Sequence, residues 1–141
     1  MASFTYNYAK QSFGKAELNF LTDTIKVALV TSSYTPDQDT HQYFSDVTNE
    51  ITGGGYTAGG STLASKAINI NNTLNLAEFD AADVTLSSFT NIFRYGIVYK
   101  STGVAATSRL IALIDFGSNV QVTASTYTIT WNAAGIFYLG E

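Results

Sequence analysis

The sequence predicts a mainly β protein: a two-sheet β-sandwich, with a jelly roll as one form of it, carrying an N-terminal helix and one short peripheral helix. Three observations carry this. Polar and apolar residues alternate with the two-residue period of a strand, most clearly in TYTITW (126–131), where Tyr127, Ile129 and Trp131 share one face and Thr126, Thr128 and Thr130 the other. Uninterrupted apolar runs are strand-sized, the longest being LIALI at 110–114. Turn residues punctuate the runs, as in Ser101-Thr102-Gly103, Gly117-Ser118-Asn119 and Asn132 to Gly135.

Taken in order, the first element is the N-terminal helix, over 8–21. Ala9, Phe13, Ala16 and Phe20 recur on one helical face, Asn7 is available as N-cap, and Gly14 costs about 1 kcal/mol relative to alanine. A strand follows at 25–31. Pro36 marks a turn, and THQYFSDV (40–47) reads as the short helix, capped by Asp39 or Thr40 and burying Tyr43, Phe44 and Val47. Further strands are expected at 63–71, 83–89, 93–100, 109–116, 120–123, 126–131 and 135–139. In FRYGIVYK (93–100), Phe93, Tyr95, Ile97 and Tyr99 share a face, whereas RLIALIDF (109–116) lacks alternation and reads as a central strand buried on both sides. Ile97, Leu113, Ile114, Ile129 and Trp131 are the expected core.

Composition narrows the function classes. The chain has 141 residues, enough for a single domain (1–141) with a substantial core. Only 13% of residues are charged, against about 25% in ordinary soluble domains. Threonine, serine, asparagine and glycine must therefore cover much of the surface, which suits a protein packed against others. Net charge is −4, and Lys10, Lys15, Lys26, Lys66, Arg94, Lys100 and Arg109 are scattered, so no nucleic-acid partner is expected. No run approaches the ~20 apolar residues of a membrane span, and no signal-peptide core opens the sequence, so synthesis in a cytoplasm is expected. The absence of cysteine removes disulfides and thiolate chemistry.

The glycine-rich stretch ITGGGYTAGGSTL (51–63) invites a phosphate-loop reading, which the residues do not support. The G-x-x-x-x-G-K-[ST] spacing is missing, no lysine follows before Lys66, and the next segment looks like a strand instead of a helix. Gly53, Gly54, Gly55, Gly59 and Gly60 instead permit positive φ in a long connection, with Tyr56 as its one large side chain. These six residues are the candidate protein interface: a mobile loop whose tyrosine docks onto a neighbouring subunit.

Other constellations are weaker. Asp37, Asp39, Asp46 and Glu50 offer oxygen ligands without the spacing of an EF-hand, and a turn with a solvated helix face explains them more cheaply. Glu78, Asp80 and Asp83 are close enough in sequence to cap turns more readily than to act as a glycosidase pair. His41, the single histidine, has no nucleophile motif beside it. No catalytic residue, cofactor or metal is expected.

Across 18–136 the chain resembles small virion structural proteins of tailed bacteriophages. The first half of the resemblance is DTIKVALVTSSYTPDQDTHQYFSDVTNEITGGGYTAGGSTL; the second is FDAADVTLSSFTNIFRYGIVYKSTG, RLIALIDFG and TYTITWNAAGI. The resemblance implies a non-enzymatic structural protein in a virion, most simply a capsid decoration or cement protein. Its implied partners are the major capsid protein or other virion proteins, with the chain itself a homo-oligomer or repeated in lattice copies. A tail-associated or head–tail connector component is the alternative within that class. A carbohydrate-binding adhesion module, stacking sugars on Tyr34, Tyr43 and Tyr56, is the alternative outside it.

Overall fold

A computed structural model describes residues 2–140. Its strands are β1 (Phe4–Thr5), β2 (Ile25–Val30), β3 (Ser61–Thr62), β4 (Ala67–Asn71), β5 (Leu76–Asp80), β6 (Val84–Lys100), β7 (Leu110–Ile129) and β8 (Phe137–Gly140). One helix, α1 (Asn7–Gly14), follows β1, and single 3-10 turns occur at Phe44–Asp46 and Ala105–Thr107. The strands form two antiparallel sheets, ordered β1-β7-β6-β2-β3 and β4-β5-β8, and the chain is a two-sheet β-sandwich.

The centre of the larger sheet is buried on both faces. Tyr95 to Tyr99 of β6, Leu110 to Leu113 of β7 and Val27 to Val30 of β2 are all buried, which is why these segments read as continuous apolar runs. On one face, Tyr95 meets Tyr34 edge-on at 6.4 Å, and Tyr99 stacks on Phe44 at 4.2 Å; both partners come from the long connection between β2 and β3. Between the sheets, Phe79 of β5 and Phe137 of β8 stack at 4.5 Å, and Phe20 packs edge-on against both. Helix α1 adds Phe13, 5.5 Å from Phe79.

Several elements depart from the sequence reading. The helix ends at Gly14, because Ala16 takes a left-handed φ of 58° and turns the chain away. Asn7 is its first residue, Tyr6 holds the N-cap position without a side-chain cap, and Phe20 reaches the core from a loop. The expected helix at 40–47 shrinks to the turn Phe44–Asp46, capped from behind as the Asp46 carboxylate accepts the Tyr43 amide at 2.9 Å. Of the segment at 63–71 only Ala67–Asn71 is a strand, β4, while β1, β3 and β5 are strands that the residue pattern did not announce.

Larger differences concern β6 and β7. The expected strands at 83–89 and 93–100 are one strand, and those at 109–116, 120–123 and 126–131 are another. Gly117-Ser118-Asn119 is not a turn between strands but a bulge inside β7. Phe93 pairs with Val120 and Tyr95 with Asp115, so two steps on β6 face five on β7. Of the expected core, Ile97, Leu113 and Ile129 are buried, whereas Ile114 and Trp131 are half-buried. Trp131 lies past the end of β7, and its indole N–H donates to the Ala82 carbonyl at 3.0 Å.

Candidate interaction surface

The glycine-rich connection lies flat on the backbones of β2 and β6. A Cβ on Gly60 would sit 1.9 Å from the Val27 carbonyl oxygen, and one on Gly54 the same distance from that of Thr90; φ is +85° and +57° at these positions. No side chain fits there, so glycine is required by close approach as well as by conformation. The loop is also pinned. The Thr90 amide donates to the Gly54 carbonyl at 2.8 Å, the Asn91 side-chain amide donates to the Gly53 carbonyl at 2.8 Å, and the Tyr99 hydroxyl donates to the Gly59 carbonyl at 2.5 Å.

Tyr56 is therefore not a docking anchor projecting from a mobile loop. It is 9% exposed and points inward. Its hydroxyl accepts from the Leu29 amide at 3.2 Å and donates to the Glu50 carboxylate at 2.5 Å, and the same carboxylate oxygen accepts from the Gly59 amide at 2.7 Å. Burial, then the bond to Glu50, push the Tyr56 phenol well above its ordinary range. Tyr99, buried beside the same carboxylate, is pushed up to about 12. The group Glu50–Tyr56–Gly59–Tyr99 is a clamp that fixes the loop. What remains outward is a neutral ridge of Thr52, Gly53, Gly54, Gly55, Thr57 and Ala58 beside residues 88–91 of β6.

The acidic residues are committed locally. Asp37 accepts the amides of Asp39 and Thr40, Asp39 accepts from the Asn7 side chain, and Glu50 serves the clamp. Hydrogen bonds from Thr40 hold the Asp37 carboxyl below its usual value. Among the described residues, no three metal-binding side chains converge. Glu78 accepts from Asn71, Asp80 caps the Ala81 amide, and Asp83 accepts the Trp131 amide. His41 is engaged by the Tyr34 hydroxyl, 2.7 Å from Nδ1.

A concavity of about 580 Å³ separates the edges of β1 and β8, walled by Phe4, Leu113, Phe137 and Leu139. Among the described residues, Lys10 is the one charged side chain lining it. At the β4 edge of the smaller sheet and in the turn that follows it, Ile68, Ile70 and Leu74 are 38%, 70% and 58% exposed. The sequence carries a signal for that surface: from Ala67 to Ala77, between Lys66 and Glu78, there is no charged residue.

No protein-family model, no curated protein and no solved structure matches the chain.

Proposed function

We propose that the protein is a non-enzymatic structural component of a tailed-phage virion, a decoration or cement protein bound to the outside of the capsid. Beside the sequence resemblance, the reading draws support from one feature of the surface. The groups singled out for chemistry are engaged in local hydrogen bonds, while the outward face offers neutral backbone ridges, such as 52–55, in a chain with 13% charged residues. Surfaces of that kind suit contacts repeated over a lattice, where hydrogen bonds and shape complementarity operate without long-range charge. Major capsid protein is the expected partner, and other virion proteins take that place if the chain belongs to the tail or the head–tail connector.

Mass spectrometry of purified particles, followed by localisation of the chain's density, tests this. Stoichiometric presence on the capsid is expected; presence only on the tail selects the alternative within the class, and absence from the particle overturns the reading. As a carbohydrate module the protein would need other stacking groups than those first considered, since Tyr34 and Tyr56 are buried and hydrogen-bonded. Selective, saturable binding on a glycan array would favour that second reading.

A further inference from the structure

We propose that β4 is a docking edge for a second copy of this chain, the two β4 strands pairing antiparallel about Asn69 so that the three-stranded sheets of two protomers become one continuous sheet.

The edge is open and undefended. Among the described residues, β4 has β5 on one side and no strand on the other. Edge strands in monomers are ordinarily blunted by charge, proline, a bulge or extreme shortness, because unpaired amides and carbonyls template pairing with another chain. β4 has none of these: Ala-Ile-Asn-Ile-Asn is regular, uncharged and five residues long. The other edges are different. Those of β6 at 84–93 and β7 at 120–129 are interrupted by register shifts, which break the regular ladder that a second chain would need. β1 and β3 have two residues each, and the Thr5 carbonyl of β1 is capped by the Gln38 side chain at 2.9 Å. β8, with four, lies alongside the groove that holds Lys10.

The sequence of β4 is complementary to itself. Directly opposed residues of an antiparallel pair share a face. With Asn69 opposite Asn69 of a second copy, Ile68 faces Ile70, Asn71 faces Ala67, and all five residues of each strand are paired; shifting the centre by one residue either way leaves residues unpaired. Ile68 and Ile70 already lie on the face of Phe79 and Ala77, their partners on β5. They remain exposed there, and pairing would join them into one apolar stripe. Charge selects the occupant. In a chain of net charge −4, most surfaces repel a second copy, but the segment from Ala67 to Ala77 has no charge to repel one. A single strand pair with a few side chains buries less than the ~800 Å² per partner of a standard interface, so the association is reversible and concentration-dependent.

The proposal does not depend on the virion reading and is tested on the isolated chain. Because the protein has no cysteine, Asn69→Cys places one thiol on the two-fold axis. With oxidised glutathione it should give a disulfide-linked dimer about tenfold or more faster than Thr123→Cys, an exposed control on β7. Adding Ile70→Lys should return the rate to that of the control, whereas Thr73→Lys, in the exposed turn beyond β4, should not. Sedimentation equilibrium of the unaltered chain needs no variant to fold: the mass should rise above 15.2 kDa with concentration and approach twice that value. Cross-linking at the control rate, indifference to Ile70→Lys, a monomer at every concentration up to about 1 mM, or growth beyond the dimer would each overturn the proposal.

Discussion

Tyr6 is fully buried, and among the described residues its hydroxyl has one partner, the hydroxyl of Tyr34 at 3.0 Å. That fixes the direction of this hydrogen bond. A buried phenol proton needs an acceptor, so Tyr6 donates to Tyr34, whose hydroxyl in turn lies 2.7 Å from Nδ1 of His41. Burial raises the Tyr34 phenol to about 12, so it remains a donor throughout the ordinary pH range. Tyr34→Phe should therefore cost about 1–3 kcal/mol by stranding the buried Tyr6 hydroxyl, and adding Tyr6→Phe should recover much of the loss. Chemical denaturation of the two single variants and the double variant measures this; a double variant no more stable than Tyr34→Phe would refute it. Acid sensitivity has a separate origin. Arg94 lies 2.9 Å from Asp115 and holds that carboxyl below its usual value, first by hydrogen bonding. A depressed folded-state value means stability that is present above the unfolded value, ~3.9, and is lost as pH falls through the folded one. Arg94→Gln should lower stability near neutrality, with the deficit shrinking below about pH 4; urea melts across that range would show a constant deficit if the pair did not titrate.

At the level of elements, the loop glycines differ in what they require. Gly53 has φ +64° but open space around its Cβ position, so alanine there meets backbone strain alone, about 1–2 kcal/mol. Gly54 and Gly60 add a collision with a carbonyl oxygen at 1.9 Å, so alanine at either should destabilise more than Gly53→Ala, because the loop must lift off the sheet. Equal melting temperatures for the three variants would show that the loop does not rest on the strands. The sequence disclosed that these glycines permit positive φ, but not that Tyr56 turns inward, since that depends on Glu50 and Leu29 presenting an acceptor and a donor across the fold. Period-two patterns were legible wherever one face was solvated, as at 126–129. They failed to give strand lengths, because a bulge at Gly117 and a turn use the same residues. β5 was missed because Leu-Ala-Glu-Phe-Asp has one deeply buried side chain, Phe79, and otherwise resembles an acidic connection. Trp131, placed in the core by its strand pattern, lies past the strand end, so Trp131→Ala should cost less than the ~3–5 kcal/mol of a fully buried aromatic.

In the molecule as a whole, the long pair β6–β7 belongs to two environments. Residues 95–99 of β6 pair with β2 on one side and β7 on the other, and β1 pairs with Ala112 and Leu113 of β7. Beyond the bulge, residues 84–93 and 120–129 pair only with each other, and register shifts interrupt them at Leu86/Phe89 and Phe89/Asn91. One face of this arm holds Phe89, Phe93 and Tyr127, with Phe93 5.2 Å from Phe116 and 5.3 Å from Tyr127, while Thr85, Ser87, Thr123 and Thr128 face outward. Two strands with no further strand on either outer edge have fewer hydrogen bonds to break on opening than a strand flanked on both sides, and bulges weaken the ladder further. Hydrogen exchange should therefore divide the pair. Amides of Tyr95 to Tyr99 and Ile111 to Leu113 should open only with global unfolding, whereas those of the arm should exchange at least about tenfold faster through local opening. The glycine loop bears on this directly, because the Gly54 carbonyl accepts the Thr90 amide and ties the arm to the body of the sandwich. Gly54→Ala should accordingly speed exchange around residues 88–91 while leaving that of Ile97 and Leu113 changed only by the loss of global stability. Uniform exchange along β6 and β7 in the unaltered protein would show instead that the arm and the centre form one cooperative unit.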